Sequence, residues 1–165
     1  MTLTEFFIKY PNATNDNLSE EARKEYIDIC NEMRRKSDEN KSTYERGKAL
    51  CESPIEEKMY EYLSLYFFKT LHIETQKEIL NYRVDFLLTD KENPNKKLIV
   101  ECDGWDYHER TKEQAINDRK RDRELTKAGF KLYRFLGSEI YSNIDSCLND
   151  ISNFFKEKEN VHQNI

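Results

Sequence analysis

The chain has 165 residues, 37% of them hydrophobic, enough for one core of ordinary size and too few for two full domains. Its net charge of −5 argues against a surface coated in basic groups, and no run of roughly eighteen apolar residues occurs, so neither a membrane span nor a secretory leader is expected and the protein reads as cytoplasmic. Four cysteines, Cys30, Cys51, Cys102 and Cys147, lie far apart without a CxxC or Cys/His pairing, which argues against a zinc site and a disulfide framework alike.

In chain order, residues 1–17 read as irregular, with Pro11 as punctuation. Ser19 then caps a helix whose apolar positions Ala22, Tyr26, Ile29/Cys30 and Met33 recur at helical spacing, and the pattern dissolves into the polar connector "RRKSDENKSTYERGK". Residues 1–50 are thus expected to form an N-terminal helical extension of a domain over 51–160. The helix of that extension is the surface through which a homodimer or larger complex would form.

A second helix starts at Ser53-Pro54, with Ser as cap, Pro at the first position and Glu56 and Glu57 in the first turn, where the helix dipole favours acids. Strands are predicted over 73–79, 82–89 and 97–103, the last two joined by the turn "DKENPNK". A helix opened by Thr111, with Gln114 at capping-box spacing, closes at Gly129. The strand "FKLYRFL" follows, and a last helix carries Ile144, Leu148, Ile151 and Phe154/Phe155 on one side. This order predicts an α/β layered core with a mixed four-stranded sheet, hairpin-type pairing first and a parallel strand-helix-strand crossover at the end.

The chemistry concentrates in "LIVECDGWDYHERT". Alternation places Ile99, Glu101 and Asp103 on one face of a strand and Leu98, Val100 and Cys102 on the other. On the neighbouring strand Asp85 stands between Val84 and Phe86, and a carboxylate in so apolar a run needs a partner or a metal. Acids on adjacent strands offer hard oxygen ligands suited to Mg²⁺ or Mn²⁺. From Arg110 to Arg134 nine Lys/Arg face four Asp/Glu, a local excess of 9 − 4 = +5. Such a run reads either as a solvated helix face laced with ion pairs or as a grip on phosphates.

Together "SPIEEKMYEYL", "TQKEILNYRVDF" and "LIVECDGWDYHERTKEQAINDRKRDRELTKAGFKLYRFLGSEI" resemble the restriction-endonuclease-like PD-(D/E)xK nuclease superfamily, and within it a domain family allied to the very-short-patch mismatch repair endonucleases. The resemblance implies an αβββαβ core and a Mg²⁺- or Mn²⁺-dependent endonuclease acting on DNA. It makes Asp85 and Glu101 metal ligands, with the backbone carbonyl of Cys102 as a third contact. Glu56 matches an acidic position that orients the site, and Gln76 a glutamine near it. The sequence departs from the pattern at Asp103, where the superfamily carries lysine; His108 is the expected substitute, since histidine moves protons near neutral pH, and Asp103 would orient it or help hold a second ion. Arg110, Lys112, Arg119 and Arg121 are the expected phosphate contacts, and Trp105 the base-stacking residue. The missing lysine leaves one alternative, a catalytically inactive nucleic-acid-binding or interaction subunit with the same fold.

Overall fold

In the computed structural model, which describes residues 1–11, 19–104 and 111–157, the N-terminus is helical from the third residue. Thr2 Oγ1 accepts the Glu5 N–H at 3.2 Å and the Glu5 carboxylate accepts the Thr2 N–H at 2.7 Å. This capping box starts α1 (Leu3–Lys9) where an irregular segment was expected. The second helix, α2 (Glu20–Ala49), also runs on through the stretch expected to be a polar connector. That stretch lacks apolar periodicity but is rich in straight-chain helix formers. It carries ion pairs at helical spacing: Arg35 reaches Glu32 at 2.8 Å and Glu39 at 2.5 Å.

Two compact units divide the chain, Met1–Glu45 and Arg46–Ile165. In the first, Phe6 is buried with Ala22 and Ile29 and edged by Leu3, Tyr10 and Tyr26.

The second unit begins with α3 (Pro54–Phe67), whose Ser53 cap accepts the Glu56 N–H. Strands β1 (Leu71–Ile79), β2 (Tyr82–Asp90) and β3 (Lys97–Asp103) follow, then α4 (Lys112–Lys127), β4 (Lys131–Leu136), α5 (Gly137–Ser142) and α6 (Ile144–Lys156). The sheet order is β1-β2-β3-β4. The first two pairings are antiparallel and β3–β4 is parallel, with α4 as the crossover. This is the mixed α/β sheet the sequence predicts. The Thr111–Gln114 box opens α4, and Gly129 follows its end at φ +90°, a conformation glycine adopts without steric cost. The short α5 has no sequence signal of its own; it starts directly after β4 on a Leu136 cap, held by the Glu139 carboxylate at the Leu136 N–H.

The two faces of the sheet are covered separately. Leu87 and Ile99 pack with Ile79, Val84 and the α4 residue Leu125. Phe86, the next residue along β2, points to the opposite face, where the buried α3 residue Tyr60 stacks on it at 6.3 Å. Among the described residues no helix is long and apolar enough to cross a membrane.

Candidate active site

The sheet loses its regularity at one place. β1 and β2 pair from Leu71↔Asp90 to Ile79↔Tyr82, but between Thr75↔Phe86 and Lys77↔Val84 the ladder is interrupted, and Gln76 stands there at φ +50°. That left-handed conformation is strained for a residue with a side chain and tends to collect where function requires it. The residue across from Gln76 is Asp85. On its other side β2 pairs with β3 only from Phe86↔Val100 onward. Val84 and Leu87, three positions apart, pack in one cluster, so the alternation of side chains is broken at Asp85 although the β1–β2 register is the same on either side of it.

Where the next ladder bond would fall, the side chain of Asp85 substitutes for the backbone: its Oδ2 accepts the Cys102 N–H at 2.8 Å. The rest of the site assembles around this break. Glu101 is 7% exposed and holds Arg121 of α4 through both oxygens, at 2.6 and 3.3 Å. Arg121 also donates to the Arg83 carbonyl at 2.8 Å and lies over the Tyr82 ring. Buried Glu56 accepts from the Glu52 N–H, Ser53 Oγ and Gln76 Nε2 at 2.9, 2.7 and 2.8 Å. The strained glutamine and the α3 acid are thereby joined.

Electrostatics follow from burial. Desolvation pushes the Asp85 carboxyl up to about 6, against the opposing Cys102 N–H and with help from the charge of Glu56. Desolvation, and then the charge of Asp85, push Glu101 up to about 7 in spite of Arg121. The same burial raises both nearby thiols, Cys51 to about 12 and Cys102 further. Both carboxyls are thus held toward their neutral forms by desolvation, and Glu101 further by the charge of Asp85.

Asp103 is buried at the end of β3, 3.9 Å from Arg134 of β4, which also binds Asp122 of α4 at 2.7 Å. Sequence reasoning missed Arg134 as a site residue, although a charge set between Tyr133 and Phe135 in "KLYRFL" is the same signal that singled out Asp85 between Val84 and Phe86. It also did not foresee that Arg121 would sit on Glu101. Lys112 and Arg119 are exposed on α4. His108, Trp105 and Arg110 lie outside the described residues. Among the described residues no three His, Cys, Asp or Glu side chains group as a metal cage. Of the ligands the resemblance implies, Asp85 and Glu101 supply the hard carboxylate oxygens that a divalent ion takes.

A family model, REase_MTES_1575, describing restriction-endonuclease-like proteins, matches residues 56–155. The chain belongs to this restriction-endonuclease-like family. The matched span opens at Glu56 and takes in Gln76, Asp85, Glu101, Asp103, Arg134 and all of α4. A search of curated proteins gives no match.

One expected result follows from the site's charges. A carboxyl with a raised folded-state pKa binds its proton more tightly in the folded protein than in the unfolded chain, so the folded state loses relative stability as pH rises through the interval between the two values. For Asp85 that interval runs from 3.8 to about 6, and for Glu101 from 4.5 to about 7. In chelator, the melting temperature of this domain is expected to fall between about pH 4 and pH 7 and to level off above it. At roughly 1.4 kcal/mol per pKa unit, Asp85 alone accounts for about 3 kcal/mol across its whole interval from 3.8 to about 6. Calorimetry across that range checks it: a flat profile would show that the carboxyls are not desolvated together.

Proposed function

We propose that the chain is a divalent-metal-dependent deoxyribonuclease that hydrolyses phosphodiester bonds. The observation that carries this reading is the break at Asp85, where the strand ladder gives way and leaves a desolvated carboxyl beside a second one on Glu101. The carboxylates of Asp85 and Glu101 would hold Mg²⁺ or Mn²⁺, with the Cys102 carbonyl as third ligand. The Cys102 N–H faces Asp85, and in an extended strand a residue's N–H and C=O leave on the same edge, which supports that third role. When bound, the ion supplies polarisation of the phosphate and a water of lowered pKa.

The chain's own groups do the rest. Glu56 holds the Gln76 side chain and so fixes the strained turn of β1 behind Asp85. Asp103 occupies the place that the superfamily gives to lysine and carries the opposite charge, so proton transfer passes to His108, five residues further on. Lys112, Arg119 and Arg123 recur at helical spacing on α4, are exposed, and present a basic stripe to the DNA backbone; Arg110 is a further phosphate contact and Trp105 a base-stacking ring in this reading.

A second reading has specific support: Asp103 in place of lysine and an arginine seated on the second acid are what a silent nucleic-acid-binding module would also carry. Supercoiled plasmid separates the two. Nicking is expected with Mg²⁺ or Mn²⁺ and none in chelator. Retention of the plasmid by the protein without nicking, with either metal, would favour the silent module.

A further inference from the structure

Both oxygens of the buried Glu101 carboxylate are engaged by one guanidinium, and that guanidinium has two further anchors of its own. The Arg83 carbonyl accepts from the same Nη2 that reaches Glu101, and the Tyr82 ring lies 5.9 Å from the guanidinium carbon. Arg121 comes from α4, the helix that also bears the basic stripe, and its side chain is 19% exposed, so it lies at the boundary between the desolvated acids and solvent.

We propose that Arg121 is an exchangeable stand-in cation: it neutralises Glu101 until a divalent ion takes over the carboxylate, and is then handed to a phosphate oxygen of the substrate. This rests on the metal-dependent reading above. Two cations cannot share one desolvated carboxylate at contact distance without strong mutual repulsion, so an ion that binds Glu101 weakens its pair with Arg121. The Arg83 carbonyl shares Nη2 with Glu101 and lets Nη1 swing out first, while the contact with the Tyr82 ring does not involve Glu101 and keeps the freed guanidinium at the site. There its planar fork suits a phosphate, with paired N–H donors and a positive charge. The arrangement places a positive charge beside the second acid from a helix, in a protein whose β3 offers Asp103 where the superfamily offers lysine.

The exchange makes a prediction that a merely structural ion pair does not. Arg121→Met keeps the length and packing of the stem and removes the charge. Its affinity for Mn²⁺, followed by calorimetry at pH 8 without DNA, is expected to rise at least tenfold over the parent. Its retention of DNA in the presence of metal is expected to fall. Arg121→Lys keeps a charge but loses the fork, and its Mn²⁺ affinity is expected between the two; it also serves as the folded comparison if the methionine variant is unstable. Mn²⁺ affinity that is unchanged or weaker in both variants overturns the proposal and leaves the metal reading standing. If the parent and both variants bind no Mn²⁺, or Glu101→Gln binds it as well as the parent does, the metal reading itself fails and this inference with it.

Discussion

Replacing Asp85 by asparagine is expected to lower plasmid nicking by at least about a thousandfold, a loss of roughly 4 kcal/mol of transition-state stabilisation, while making the chelated protein more stable at pH 8. The two effects have one cause. Asp85 is a carboxylate that burial holds well above its usual range, so its ionised form costs the fold free energy at neutral pH. Asparagine keeps an oxygen to accept the Cys102 N–H, the one backbone donor that depends on this side chain, and removes the charge. A residue retained for packing would show the reverse, a less stable protein with activity reduced only in proportion to the folded fraction. Parallel melting curves and nicking rates in Mg²⁺ decide the matter. An Asp85→Asn protein that nicks at the parental rate removes this residue from the chemistry, and one that is inactive because it is unfolded removes it from the argument about desolvation.

The residues differ in how much of their role could be read before the structure. Asp85 and Glu101 were legible because each is a charge inside an apolar strand, an arrangement sequence alone marks as costly. The order of elements followed from apolar periodicity and from helix punctuation at Ser53-Pro54 and Gly129, which are local signals. The left-handed Gln76 was not legible: nothing in "TQKEI" announces it, since its conformation is imposed by two neighbouring strands and by Glu56 on another element. Nor was the length of α2, because a helix built on side-chain ion pairs leaves no hydrophobic period to count. The two arginines of the site were visible as charges but not as partners. Arg121 lies twenty residues from Glu101 and Arg134 thirty-one from Asp103, and only the β3–α4–β4 crossover brings each pair together.

That crossover also explains why the superfamily's lysine cannot simply be restored. Asp103→Lys is expected to destabilise the domain by about 3 kcal/mol and to leave plasmid nicking no faster than in the parent. Asp103 is buried and faces Arg134, whose Nε is itself buried with no hydrogen-bond partner among the described residues. A second cation at this position would leave Asp122, which is partly exposed, as the one carboxylate held at short range by Arg134. Two like charges taken out of water and facing each other cost more than the removal of one partner, so Asp103→Asn is expected to lose less than the lysine variant does. If repulsion is the cause, adding Arg134→Gln to Asp103→Lys recovers a substantial part of the lost stability, because the lysine then has Asp122 to itself. Urea unfolding midpoints of the three variants measure this directly. A lysine variant as stable as the parent and quicker to nick would mean that Arg134 does not oppose a cation at the end of β3, and that the acid there is no part of a rearranged charge network.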